Sequence, residues 1–221
     1  MPKDRLVIGT RRYSSWSLRG WLPVRLAGLD VEEVVIPLAG GNTPAVKTAT
    51  PSGTVPYLEH RGARVWESLA IAEYCAEVLP ALWPEDRAAR AHARAIASEM
   101  HAGFRELRMA MPMSLFRPAR GAGRTAGALA DIARIVALWQ DTMETFGGGG
   151  PYLFGAAFGI ADALYAPVVA RLLTYAPDLS GVAQAYCAAV RAHPLMAEWY
   201  DAAANEPVAW HLEKYETKPN E

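Results

Sequence analysis

The 221 residues are 52% hydrophobic and 20% charged, with a formal net charge of -1, enough apolar content to bury the core of one large domain or two small ones. No stretch concentrates Lys and Arg with interleaved aromatics, which argues against a nucleic-acid surface, and no window approaches the roughly 20 apolar residues that span a bilayer. Early charges at Lys3, Asp4 and Arg5 precede an apolar run too short for a secretory signal, so a cytosolic location is expected.

In chain order, Leu6 to Ile8 reads as a short buried strand, followed by a polar loop from Thr10 to Ser15 and a helix from Trp16 to Leu26 that Pro23 can kink. Val31 to Leu38 is rich in Val and Ile and fits a second strand, parallel to the first after a helical crossover. Val55 to Glu59 and Ala63 to Trp66 form a predicted hairpin around His60, Arg61 and Gly62. Leu69, Ala72, Cys75, Ala76 and Leu79 then place an apolar stripe on a helix from Ser68 to Leu79.

Pro80, Trp83 and Pro84 interrupt this pattern and mark a linker. Beyond it almost every pattern is helical. A long helix is expected from Glu85 to about Met111, where Pro112 stops or bends it, and another from Ala128 to Phe146, ended by Gly147 to Gly150. Three more fit Ile160 to Thr174, Val182 to Ala192 and Leu195 to Ala204. The expected domains are therefore residues 1–80, of α/β type, a linker at 81–87, and an all-helical unit at 88–221. Cys75 and Cys187 fall inside apolar helical patterns and read as buried core residues rather than a disulfide or a reactive thiol.

Three short segments carry the chemistry. The loop Tyr13-Ser14-Ser15-Trp16-Ser17-Leu18-Arg19 puts hydroxyls at a helix origin, where unpaired N–H groups and the positive dipole end favour an anion. Ser14 or Ser15 can simply cap that helix, or donate to a bound thiolate. In Ser52-Gly53-Thr54-Val55-Pro56-Tyr57-Leu58 a proline opens a strand. It can be an ordinary turn proline, or a cis bond that leaves the Val55 backbone free to pair with an extended peptide. In Trp66-Glu67-Ser68-Leu69 an acid and a hydroxyl open a helix. They can be a cap beside a solvated acid, or a matched receptor for the ammonium and carboxylate of an α-amino acid.

These segments, in this order, resemble the cytosolic glutathione transferases. The loop Ser14-Ser15-Trp16-Ser17-Leu18-Arg19 is similar to the Ser-Ser-Cys loop of the zeta class, which includes maleylacetoacetate isomerases, with Trp16 standing in place of the cysteine. The helical half adds Phe158-Gly159-Ile160-Ala161-Asp162-Ala163, close to that family's folding motif, with Gly159 where a serine or threonine is usual. The resemblance covers nearly the whole chain. It implies an α/β thioredoxin-like first domain of order βαβ-α-ββα and an all-α helical bundle behind it. It implies glutathione as co-substrate, with no metal, and a homodimer acting on a small electrophile.

Carried onto this sequence, the resemblance gives Ser14 the sulfur contact, with Ser15 its close competitor. Val55, flanked by Thr54 and Pro56, pairs with the cysteinyl backbone, and Glu67 and Ser68 hold the γ-glutamyl end. A thiol of pKa about 8.5 brought to about 6.5 needs roughly 2.7 kcal/mol of thiolate stabilisation. One charged hydrogen bond of roughly 1.5 to 3 kcal/mol with a helix start of about 0.3 to 1 suffices. Glutathione-dependent isomerisation of a maleylacetoacetate-like diacid is the alternative reaction, and a non-catalytic glutathione-binding protein the alternative of another kind. Met100, His101, Phe104, Met109 and Met111 are candidates for the electrophile's apolar wall or for plain core, and Trp210 is a candidate cover over the site. Arg11, Arg12 and Arg19 can steer the anionic tripeptide, but are expected rather to be solvated charges or structural pairs.

Overall fold

The computed structural model describes residues 4–218. Strand β1 (Arg5–Gly9) lies inside a four-stranded sheet, between β2 (Glu32–Ile36) and β3 (Tyr57–His60), with β4 (Ala63–Trp66) outside β3. Leu6, Val7 and Ile8 are wholly buried, as a strand covered on both faces requires. Leu6 and Ile8 join the main core under the first helix, whereas Val7 packs with Ile36, Val46 and Tyr57 on the other face.

Helix α1 (Ser15–Leu26) crosses over to β2 (Glu32–Ile36), which runs parallel to β1. Helix α2 (Pro44–Ala49) starts on a proline, the residue best pre-set for a first helical position. Strands β3 (Tyr57–His60) and β4 (Ala63–Trp66) form the expected antiparallel hairpin, with β3 against β1. Its tip residues Arg61 and Gly62 both have positive φ, 49° and 84°, the backbone of the tight turns that match strand twist. Strand β3 begins at Tyr57 rather than Val55, and Val55–Pro56 is a cis peptide. Helix α3 (Ser68–Val78) completes the α/β half.

The helical half contains α4 (Arg87–Ala102), α5 (Arg105–Ala110), α6 (Ala126–Phe146), α7 (Ile160–Tyr175), α8 (Gly181–Ala192), α9 (Pro194–Ala204) and a last turn α10 (Glu213–Glu216). The single long helix expected up to Met111 is two helices. Gly103 ends the first, and Phe104 adopts the left-handed conformation at φ 57°. Arg108 stabilises this break by donating to the carbonyls of Met100, His101 and Gly103, which α4 leaves without helical partners. The Leu107 N–H, at the start of α5, donates to Asp131 at 2.8 Å.

Helix α7 is buried along nearly its whole length. Asp162 in its first turn accepts from the N–H groups of Gly159 and Leu153 and from the Tyr186 hydroxyl, at 2.9, 3.1 and 3.0 Å. Asp162 thus caps the helix from within its first turn, although Gly159 offers no side-chain oxygen of its own. One continuous core runs from Leu6, Leu18 and Ile71 through Ala97 and Leu164 to Trp199. Trp21 of α1 lies against Trp199 of α9 with ring centres 5.2 Å apart. Cys75 and Cys187 belong to this core, where burial pushes both thiols up to about 12, far from the thiolate form a nucleophile needs.

Among the described residues no helix is long and apolar enough to cross a membrane.

Candidate active site

The handover from β1 to α1 is a tight polar knot. Ser14 occupies the N-cap: its Oγ accepts from the Ser17 N–H at 3.3 Å and donates to Ser17 Oγ at 2.7 Å. Ser17 Oγ also accepts from the Gly9 N–H at 2.9 Å, so the end of the strand and the start of the helix share one hydroxyl. Ser15, the first helical residue, accepts instead from Arg171 Nη2 of α7 at 3.3 Å. Both serines are buried.

Beside this knot lies a cleft of about 330 Å³, lined by Trp16, Leu38, Gly41, Asn42, Thr43, Val46, Gly53, Thr54, Val55 and Glu67, within the range that holds small ligands. Four of the residues singled out in the sequence, Trp16, Thr54, Val55 and Glu67, therefore share one concavity. No other described residue's backbone pairs with that of Val55 outside the regular strands. Asn42 and Thr43 carried no distinguishing signal in the sequence. Only the docking of α2 against the sheet brings them to the cleft.

At the mouth of α3, Glu67 holds φ 68°, a strained conformation for a residue with a side chain and one found often at functional sites. The capping serine expected here is absent: Glu67 takes the cap position without a side-chain bond, and Ser68 is the first helical residue. Ser68 is wholly buried, and its Oγ has no partner among the described residues. A buried hydroxyl left unsatisfied in this way costs about 1 to 3 kcal/mol.

Glu67 also faces the helical half, with its carboxylate 3.8 Å from His101 Nε2. His101 meets Trp16 edge to face at 5.2 Å. Burial first, and then the charge of Arg19, lowers the His101 pKa, so at neutral pH the imidazole is uncharged. Of the other candidates for an apolar wall, Met100, Phe104 and Met111 are core residues, while Met109 is 70% exposed and points away.

The three arginines flagged in the loop part ways. Arg11 pairs with Glu33, and Arg12 donates to Glu216 at 2.7 and 3.2 Å, so both have structural partners. Glu206 accepts from the backbone N–H groups of Arg11 and Arg12, and Glu216 also accepts from the Tyr13 hydroxyl at 2.5 Å. The carboxy-terminal segment thereby grips the loop just before Ser14. Trp210 lies in this segment but does not line the cleft. Arg19 is different: it is fully buried, with its guanidinium stacked 3.8 Å over the Trp16 ring.

A four-stranded thioredoxin-like sheet joined to a helical bundle is the architecture of the glutathione S-transferases. The chain matches the glutathione S-transferase N-terminal domain over residues 13–78 and the C-terminal domain over residues 88–202; it belongs to the glutathione S-transferase family. It is 29% identical to maleylacetoacetate isomerase of Rattus norvegicus over 176 residues, 77% of this chain and 78% of that one. It is 36% identical to glutathione S-transferase L3 of Arabidopsis thaliana over 89 residues, which span 37% of this chain and only 38% of that protein. Among solved structures, maleylacetoacetate isomerase from Anaeromyxobacter dehalogenans, with dicarboxyethyl glutathione and citrate in its active site, is 26% identical with a TM-score of 0.64. That match covers 94% of this chain and 97% of the other.

Proposed function

We propose that this chain conjugates glutathione to small electrophiles, with the Ser14 hydroxyl holding the sulfur as a thiolate. The observation that carries the reading is the cleft that Thr54, Val55 and Glu67 line together, with the buried, unpartnered Ser68 Oγ next to Glu67 in the chain. That set offers an oxygen acceptor for an ammonium group, a hydroxyl for a carboxylate and a free backbone edge for an extended peptide. Glutathione presents all three needs in one molecule, and its sulfur then falls toward the α1 origin.

Ser14 can turn its O–H from Ser17 Oγ to donate a hydrogen bond to sulfur at small cost. Ser17 Oγ, its present acceptor, keeps the Gly9 N–H as a partner after the exchange. Ser15 is tied to Arg171 and serves to hold that guanidinium. In this proposal residues 1–80 form the glutathione-binding domain, 81–87 the linker and 88–221 the unit that presents the electrophile. The protein is proposed to work as a homodimer in the cytosol, for which Trp66, 45% exposed on the edge strand β4, supplies apolar surface.

The test is ultraviolet titration of bound glutathione. The thiolate band should rise with a midpoint about two pH units below that of the free tripeptide, and a midpoint unchanged from water would refute the proposal. Glu67→Gln and Ser68→Ala should each weaken glutathione binding about 10-fold to 100-fold by calorimetry, as expected for one charged contact, with kcat at saturation nearly unchanged.

The alignment with the Rattus norvegicus isomerase over most of both chains favours one second reading, glutathione-dependent cis-trans isomerisation. Turnover of maleylacetoacetate on a catalytic amount of glutathione, which is recovered unconsumed, would select it over conjugation.

A further inference from the structure

The polar turn that ends on Ser14 is held from the far end of the chain. The Thr10 carbonyl receives the N–H groups of Tyr13 and Ser14 at 3.3 and 2.9 Å. The two N–H groups before them, of Arg11 and Arg12, donate at 2.6 and 3.3 Å to the two carboxylate oxygens of Glu206, 195 and 194 positions away. No N–H from Arg11 to Ser14 is left over. Beside this clasp Glu216 accepts from the Arg12 guanidinium and the Tyr13 hydroxyl, and that hydroxyl accepts the Leu212 N–H at 3.1 Å. The Tyr215 carbonyl accepts from Ser114 Oγ at 2.9 Å, which pins the segment to the helical half.

Glu206 is buried and forms no ion pair among the described residues. The guanidinium groups of Arg11 and Arg12 are paired with Glu33 and Glu216 instead. A buried carboxylate in that state is costly to keep, and burial raises its pKa against the pull of the two N–H groups. What its two oxygens supply is direction. Consecutive peptide planes bonded to one rigid, planar acceptor cannot turn independently. The turn therefore delivers Ser14 to the N-cap of α1 with its backbone already set.

We infer that Glu206 is a positioning residue for the reaction: by fixing the peptide planes of Arg11 and Arg12 it sets where the Ser14 hydroxyl stands, with Glu216 as a second clasp on Arg12 and Tyr13. The inference rests on the proposed role of Ser14 and adds the remote group that aims it. Neither glutamate lines the cleft, so the effect travels through the backbone of residues 11–14. A small displacement of the donor weakens its hydrogen bond to sulfur. The proposed contacts of Val55, Glu67 and Ser68 with the rest of the tripeptide do not pass through this turn. Loosening the clasp thus makes the bound thiol less acidic without releasing glutathione.

The test is ultraviolet titration of glutathione bound to the full chain, alongside turnover of 1-chloro-2,4-dinitrobenzene at saturating glutathione. Glu206→Gln keeps the size of the side chain but offers one acceptor oxygen in place of two. It should raise the midpoint of the bound thiol by about one pH unit, which lowers turnover about eightfold at pH 6 and leaves it within about twofold at pH 9, where the thiol is ionised in both proteins. Glutathione affinity at about pH 5, below both midpoints, should change by less than about twofold. A clasp that only stabilised the fold would lower the melting temperature and leave the midpoint unmoved. Glu216→Gln, at a partly exposed side chain, decides the matter if Glu206→Gln does not fold: its midpoint should rise by about half a unit. A folded Glu206→Gln protein with the wild-type midpoint, or with equal losses of turnover at both pH values, overturns the inference. An unmoved midpoint in Glu216→Gln does so where Glu206→Gln fails to fold. A wild-type midpoint equal to that of free glutathione removes the Ser14 reading and this inference together, whereas a shifted wild-type midpoint that the variants leave unchanged removes this inference alone.

Discussion

Ser14→Ala is expected to lower kcat/KM for conjugation at neutral pH by about 10-fold to 100-fold, because a charged hydrogen bond contributes roughly 1.5 to 3 kcal/mol to the thiolate. The acidic limb of the pH profile should move up at the same time, from about 6.5 toward the 8.5 of a free thiol. Glutathione affinity should stay within a few-fold, since the proposed binding contacts of Val55, Glu67 and Ser68 do not involve the Ser14 hydroxyl. The hydroxyl is also the N-cap of α1, so the variant should lose about 0.5 to 2 kcal/mol of stability. A melting temperature lower by only a few degrees would show that the rate loss is not unfolding. Ser15→Ala is the control: it removes a bond to Arg171 and no cap. Full activity in Ser14→Ala with loss in Ser15→Ala would transfer the catalytic role to the second serine.

The largest loss of stability is expected at Asp162. Its carboxylate receives two backbone N–H groups and the Tyr186 hydroxyl in a fully buried site. Asp162→Ala strands all three donors, at about 1 to 3 kcal/mol each before relaxation. A net loss of about 3 to 5 kcal/mol in chemical denaturation is expected, a large share of an ordinary domain's stability. Burial, partly offset by those hydrogen bonds, pushes the Asp162 carboxyl up to about 6 from an ordinary 3.8. The folded state then holds a proton more tightly than the unfolded one between those values. The charge penalty, about 3 kcal/mol, is fully present above pH 6 and is relieved as pH falls toward 4. Asp162→Asn carries no such charge, so its stability relative to wild type should be highest near neutral pH and decline on acidification through that window. A difference independent of pH would contradict the assignment.

Most of the fold was legible in the sequence because its signals were local. Val and Ile runs marked the parallel strands, Arg61 and Gly62 the hairpin, and the stripe from Leu69 to Leu79 marked α3. The helix break at Gly103 and Phe104 was not legible. It depends on Arg108 folding back onto the carbonyls of α4 and on Asp131 from α6 receiving the Leu107 N–H, neither of which is written in residues 100–111. The candidate site divides the same way. The hydroxyls of the first loop and the Glu-Ser pair were visible as types in order along the chain. The bond from Arg171 to Ser15 spans 156 positions, and no pattern near Ser15 announces it. Arg19 looked like one of three surface charges, and only its place beneath the Trp16 ring sets it apart.

The unbroken core described above has a consequence for how substrates come and go. With Trp21 packed against Trp199 and residues of both halves sharing one dry interior, the two lobes have no seam along which a hinge could swing. Entry and exit then fall to the open side of the cleft and the residues that line it, Trp16 and Glu67 among them, while the jaws themselves stay fixed.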